Sequence, residues 1–141
     1  MSNAPKTYPR PLSPHLQIYK LPLTGAIMSI MHRFTGIALY FGILVLTVWL
    51  FALASSPECF AQIQHFMGSL LGRLMLFGWT FCIFYHLCNG IRHLVWDVGK
   101  GFKLNEVDDS GGMVMVGSVL LTALAWLLAY ALYNPSAWQT L

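Results

Sequence analysis

The residues best suited to chemistry in this sequence are histidines that lie inside apolar stretches. His86, Gly90, His93 and Asp97 are spaced at i, i+4, i+7 and i+11, which places them on one face of a helix. His86 lies deepest in its apolar stretch, and a buried neutral imidazole needs a partner for both ring nitrogens. Haem iron is one such partner, and Gly90 would leave room for a flat macrocycle against the backbone. A hydrogen bond between helices is the other, and for a lone histidine it is the commoner arrangement.

A second polar stripe stands near the start of an earlier apolar stretch. Ser29, His32, Arg33 and Gly36 are spaced at i, i+3, i+4 and i+7, so a hydroxyl, an imidazole and a guanidinium are predicted to share one helix face. Ionisable groups inside a membrane segment are costly and by default indicate a functional site. The same pattern also fits an arginine that snorkels to lipid phosphate and a serine that bonds to its own helix. The spacing does not distinguish these two interpretations.

The composition requires that membrane helices carry both stripes. The chain has 141 residues, of which 57% are hydrophobic and 9% are charged. Soluble domains carry about 25% charged residues, and disordered chains are poor in apolar ones, so both classes are excluded. A net charge of +3 is too small to indicate a nucleic-acid partner. The three cysteines form no CxxC pair, so the sequence indicates neither a disulfide framework nor a zinc site.

Three segments are long and apolar enough to cross a bilayer, since a spanning helix needs roughly 20 apolar residues. They contain 21 uncharged residues from Phe34 to Ala54, 18 residues between Arg73 and Arg92, and 21 uncharged residues from Met113 to Tyr133. The prediction is therefore an all-α integral membrane protein with three transmembrane helices. The predicted divisions are an extended arm at 1–24, helices at 25–54, 66–97 and 112–134, an outer link at 55–65, an inner loop at 98–111 and an outer tail at 135–141.

The basic residues predict the orientation. Seven of the eight lie on one side of the three predicted spans: Lys6, Arg10, Lys20, Arg33, Arg92, Lys100 and Lys103. By the positive-inside rule, the arm and the 98–111 loop face the cytoplasm or the mitochondrial matrix, and the tail faces the other side. Residues 1–24 are neither Arg-rich nor amphipathic, so a bacterial inner membrane is favoured over a mitochondrial one. An apolar run of 21 residues behind 33 others is also unlike a cleaved signal peptide.

Two longer motifs carry a resemblance to a known family. Arg10–Tyr19 (RPLSPHLQIY), followed by Ser29–Gly36 (SIMHRFTG), resembles the entry segment of the cytochrome b subunits of succinate dehydrogenase. His86–Asp97 (HLCNGIRHLVWD) is similar to the second signature of the same family, H-x-x-x-G-I-R-H-x-x-x-D. The motifs stand in the family's order and at its usual separation, and the resemblance covers about residues 10–133.

The resemblance implies roles for individual residues. His86 matches the position that supplies one axial ligand to the iron of haem b, with the second ligand coming from a partner membrane subunit. Ser29 and Arg33 match positions that line the ubiquinone pocket. His32 matches a position close to the haem propionates and the quinone. By their position nearer the interface, and apart from the resemblance, Arg92 and His93 could meet haem propionates or lipid headgroups. No residue of this chain is expected to be catalytic.

The resemblance also implies a place in a larger complex, in a membrane and without nucleic acid. The expected partners are a second small membrane subunit, which completes the haem-binding helical bundle, an iron–sulfur subunit and a flavoprotein that oxidises succinate. The chain itself would be an anchor rather than an enzyme, and electrons would reach ubiquinone through iron–sulfur clusters. Two alternatives stay open. One is the anchor of a quinol:fumarate reductase, because the motifs do not set the direction of electron flow. The other is a structural anchor without haem, in which the polar stripes only join helices.

Overall fold

The computed structural model describes residues 23–133, which form four helices. These are α1 (Leu23–Ser55), α2 (Pro57–Gly68), α3 (Leu70–Asp97) and α4 (Leu104–Leu132). Helices α1, α3 and α4 are long and apolar enough to cross a membrane. Even α3, with 28 residues, is about 42 Å long and exceeds the roughly 30 Å of a hydrocarbon core. The prediction of an all-α fold with three spanning helices is confirmed, and the first span agrees with α1 to within two residues at its start and one at its end.

Two predicted segments lie outside the described residues. They are residues 1–22 of the predicted arm, which include the Arg10–Tyr19 motif, and the predicted tail from residue 135 onward. The predicted orientation also stays a prediction, because three of the basic residues that carry it belong to this arm and the structure contains no membrane.

The predicted outer link at 55–65 is largely helical, because it contains most of α2. Ser56 is the N-cap of α2 and its hydroxyl accepts a hydrogen bond from the backbone N–H of Cys59. Pro57 occupies the first turn, where its missing N–H costs nothing. Hydrogen bonds from its own backbone N–H and from the Ser56 hydroxyl lower the pKa of Glu58, whose charge suits a helix N-terminus. Ser56, Pro57 and Glu58 therefore form a helix start signal, although serine and proline are also common where helices end.

The second span begins at Leu70 rather than at residue 66, because Ser69 interrupts the helix. Ser69 is extended, with φ −67° and ψ 164°, and its hydroxyl accepts from the backbone N–H of Gly72. The same hydroxyl donates to the carbonyl of Phe66 at the end of α2. A Cβ on Gly72 would overlap the backbone of Phe66 and Met67, so only glycine permits this tight reversal between α2 and α3.

The connection after α3 is shorter than the predicted inner loop at 98–111, because α4 begins at Leu104. Helix α3 ends at Asp97, and Gly99 follows the C-cap Val98 with a φ of 77°, the left-handed conformation that suits glycine after a helix. The Glu106 side chain accepts from the backbone N–H of Lys103 and so supports the first turn of α4. Gly111 is buried inside α4, so packing against the rest of the bundle outweighs the roughly 1 kcal/mol that a mid-helix glycine costs.

The interior joins α1, α3 and α4 and is unusually polar. Tyr85 is fully buried and packs with Met28 and Val114, and its hydroxyl donates to the carbonyl of Met28 across 3.1 Å. The other buried side chains are largely polar: Thr35, Asn89, Arg92, Ser118 and Thr122. Large apolar side chains instead cover the outside of the long helices. This distribution is the one expected where lipid or partner helices surround the bundle and polar groups join its helices.

Candidate functional site

Three histidines from two helices meet between α1 and α3. The ring of His86 stacks on the ring of His32, with centroids 3.8 Å apart and an angle of 11° between the planes. His93 is the third member, with its centroid 5.5 Å from that of His32. No group of three or more His, Cys, Asp or Glu residues within 23–133 has the arrangement of a complete metal site.

One nitrogen of His86 already has a partner on α1. The Oγ1 of Thr35 lies 3.3 Å from the Nδ1 of His86, and Thr35 is buried. The same Oγ1 lies 2.9 Å from the carbonyl of Met31 and 3.0 Å from that of His32, both of which only accept hydrogen bonds. A hydroxyl has one proton, so this geometry makes Thr35 a donor to its own helix and an acceptor from His86 Nδ1–H. The lone pair of the imidazole then resides on Nε2.

Gly36 on α1 contacts this imidazole, whereas Gly90 on α3 faces open space. A Cβ on Gly36 would lie 3.2 Å from the Cε1 of His86, which is closer than side chains normally approach, so glycine at 36 permits the contact between α1 and α3. Gly90, one turn beyond His86 on α3, has no atom within 4 Å of the place where its Cβ would stand, within the part of the chain that is described. The fit of a macrocycle beside Gly90 stays a prediction.

One ring nitrogen of His32 has no hydrogen-bond partner among the described residues. This nitrogen, Nδ1, is buried. A buried polar atom without a partner costs about 1–3 kcal/mol, so such an atom points to a group that the described chain does not itself provide.

The predicted stripe of Ser29, His32, Arg33 and Gly36 divides into two faces. His32 and Gly36 meet His86, whereas Ser29 and Arg33 are exposed on the neighbouring face of α1. Ser29 and Arg33 stand one turn apart, and Arg33 forms no hydrogen bond or ion pair with any described residue. About 12 Å of helix separates Arg33 from the start of the spanning segment at Gly25.

Arg92 has a different environment from the one predicted for it. It is buried between α3 and α4, where its Nε donates to the Ser110 hydroxyl across 2.9 Å and its Nη2 to the carbonyl of Val107 across 2.8 Å. Its Nη1 lies 3.5 Å from the Oδ1 of Asn89, and its guanidinium lies 4.2 Å from the centre of the Trp96 ring. The side chain therefore joins two helices, while the adjacent His93 is exposed and faces His32 and Trp96.

A separate cavity of about 660 Å³ lies between α1, α2 and α3. Apolar side chains line most of it, including Phe41, Val45, Met67 and Trp79. None of the predicted site residues is among its lining residues, so the cavity is separate from the histidine cluster.

The sequence interpretation missed Thr35 and Tyr85. Thr35 stands three residues after His32, on the same helix face, and a polar residue at that spacing is the signal that could have found it. Tyr85 precedes His86 in an aromatic and apolar run, and nothing in that run distinguishes its buried hydroxyl from an interfacial one.

The sequence of this chain matches known proteins over most of its length. Residues 6–125 match the succinate dehydrogenase/fumarate reductase transmembrane subunit family. The chain belongs to this family. It is 44% identical over 117 residues to the succinate dehydrogenase cytochrome b556 subunit of Rickettsia felis, covering 83% of this chain and 90% of that protein. It is also 44% identical over 121 residues to the subunit of the same name from Paracoccus denitrificans, covering 86% and 92% respectively.

A mitochondrial relative is similar as well. The succinate dehydrogenase cytochrome b560 subunit of Homo sapiens is 42% identical over 113 residues, which cover 79% of this chain and 66% of that protein. These relatives are named for succinate dehydrogenase, so they favour the resemblance stated above over a quinol:fumarate reductase anchor. Family membership and three spanning helices together identify an integral membrane subunit.

Proposed function

We propose that this chain is the membrane-anchoring cytochrome b subunit of a succinate dehydrogenase, and that it helps to hold haem b and ubiquinone. The observation that carries the proposal is the imidazole of His86, held through one nitrogen inside a chain of this family. The bacterial relatives named as succinate dehydrogenase cytochrome b556 subunits support it over nearly their whole length.

The residues around His86 fit a haem. Metal-bound histidines almost always donate their other ring N–H to a fixed acceptor, and Thr35 provides that acceptor for Nδ1. Nε2 then has the lone pair that an axial ligand requires. His32, with its unpartnered Nδ1, and the exposed His93 are the imidazoles nearest to any propionate that approaches this cluster. A b-type haem here would supply a one-electron carrier, and a second membrane subunit would supply the other axial ligand.

Ser29 and Arg33 are proposed as the quinone-binding residues. Both are exposed on α1 beside His32, where a ring that enters from lipid can reach them. The guanidinium of Arg33 can stabilise negative charge that develops on a quinone carbonyl oxygen, and in a low-dielectric site this effect is larger than in water. The Ser29 hydroxyl can donate a further hydrogen bond to the same ring.

The chemistry of succinate itself is assigned to other subunits. We propose that this chain assembles with a second membrane subunit, an iron–sulfur subunit and a flavoprotein, and that it is not an enzyme by itself. A bacterial inner membrane remains the favoured location, although relatives of this chain occur in bacteria and in mitochondria.

Purification of the chain in mild detergent tests the proposal. We expect a flavoprotein, an iron–sulfur protein and a second small membrane protein to co-purify with it. A spectrum of the dithionite-reduced complex minus the oxidised complex should show b-type bands. Co-purification without these bands would instead support the structural anchor without haem, and purification without the partner subunits would contradict the proposal.

A further inference from the structure

The contact between Thr35 and His86 restricts the imidazole in three ways. The Oγ1 of Thr35 faces Nδ1, the ring of His32 covers one side of the His86 ring, and Gly36 lies against Cε1. A ring turned by half a rotation would place a carbon against the Thr35 oxygen and would lose the hydrogen bond. The observed orientation is therefore the one that keeps Nδ1 against Thr35 of α1.

Burial makes this hydrogen bond specific. Thr35 is 3% exposed, so water does not compete for its oxygen. Its proton is directed to the carbonyls of Met31 and His32, which leaves an acceptor lone pair for the imidazole. A buried oxygen with its proton already engaged stabilises the Nδ1–H tautomer of His86 and opposes the Nε2–H tautomer.

We propose that Thr35 is a positioning residue for the haem ligand, which sets the tautomer, orientation and donor strength of His86. This inference rests on the proposed function, because it takes His86 as an axial ligand. When the ring N–H that faces away from the iron donates a hydrogen bond, the imidazole becomes a stronger electron donor to the iron. A stronger electron donor stabilises ferric iron more than ferrous iron. Thr35 thus lowers the midpoint potential of the haem and raises its affinity for the site.

The test is a potentiometric titration of the haem in the purified complex with Thr35→Val, which removes the oxygen at nearly constant volume. Loss of such a partner weakens metal binding by roughly 10- to 100-fold. Because the acceptor is a neutral hydroxyl, we expect about a tenfold loss of the preference for ferric haem, which raises the midpoint by about 59 mV for a one-electron couple. The low-spin ferric electron paramagnetic resonance spectrum should shift as well.

Three further variants make the result specific. Thr35→Ser keeps the hydroxyl and should retain the midpoint of the unmodified complex. Thr35→Ala removes the same oxygen and leaves a smaller side chain. It should also raise the midpoint, and it replaces Thr35→Val if that variant does not assemble. Thr122→Val is the matched control, because Thr122 is 2% exposed and, among residues 23–133, its hydroxyl bonds only to the carbonyl of Ser118 in its own helix.

An unshifted midpoint in Thr35→Val, or an equal shift in Thr122→Val, would overturn the inference. These outcomes are distinct from a failure of the proposed function. If His86 is not the haem ligand, His86→Ala will leave the low-spin haem signal unchanged, whatever the Thr35 variants do.

Discussion

At the scale of single residues, two arginines of this chain have opposite environments. Arg33 is exposed on α1 and has no partner among residues 23–133, whereas Arg92 is buried and bonded to groups of α3 and α4. An unpartnered guanidinium within a membrane-spanning segment is costly unless a ligand, lipid or partner subunit meets it. Arg92, which is buried and hydrogen-bonded, already has a structural role. Removing each charge should therefore affect different properties of the complex.

Arg33→Leu should lower the rate of quinone reduction by roughly ten- to a hundredfold. A hydrogen bond from a charged group is worth about 1.5–3 kcal/mol, and each 1.36 kcal/mol corresponds to about tenfold in rate. The measurement is quinone turnover per assembled complex, and succinate oxidation with an artificial acceptor that bypasses the membrane is the control that should survive. Ser29→Ala removes a neutral group and should cost less. Normal turnover in well-assembled Arg33→Leu, with altered expression alone, would indicate lipid snorkelling instead.

The sequence located these polar residues because each interrupts an apolar stretch. It could not separate those that face a neighbouring helix from those that face outward, since Ser29, His32, Arg33 and Gly36 fit one stripe equally well. The packing of α1 against α3 determines which of these residues face α3 and which face outward. It also brings Thr35 to His86, which is 51 positions away in the chain. Distant pairings of this kind have no local signal.

At the scale of helices, Arg92 links α3 to the first turns of α4. Arg92→Leu should remove bonds to Ser110 and Val107 and leave Asn89 with less hydrogen bonding in the interior. Leaving such groups unsatisfied typically costs about 1–3 kcal/mol each, so the apparent unfolding temperature of the purified complex should fall. The haem spectrum per assembled complex should stay unchanged. Arg73→Leu, at an exposed position of α3, is the control that should melt normally.

The opposite pattern would restore the role that the sequence predicted for Arg92. Normal thermal stability of Arg92→Leu together with a shifted haem spectrum would mean that this guanidinium contacts a propionate rather than joining the two helices.

The helix boundaries show which parts of the fold were predictable. Charge-free runs located all three spans, because the thickness of a bilayer sets their minimum length. The short helix α2 was missed because Ser56-Pro57-Glu58 serves both as a stop and as a start. The early start of α4 was missed because Gly111 and Gly112 suggest a loop, whereas bonds from Arg92 to Val107 and Ser110 hold that segment against α3.

At the scale of the whole molecule, the orientation in the membrane decides which side of the complex the histidine cluster faces. The distribution of Lys and Arg predicts that the N-terminus and the loop at Lys103 are inside and that Leu141 is outside. A reporter that is active only outside the membrane should be active when fused after Leu141 and silent when fused near Lys103. The reverse pattern would place Ser29 and Arg33 on the side away from the soluble subunits and would contradict the proposed quinone site.

The central claim is that His86 is an axial ligand of haem b, and the low-spin ferric haem signal of assembled His86→Ala tests it most directly. We predict that this signal is lost or shifted, even if the second ligand or a substitute retains part of the haem. His65→Ala, which removes an exposed histidine of α2, should leave the signal as it is in the unmodified complex. An unchanged low-spin signal in His86→Ala would show that another residue binds the iron and would contradict this account.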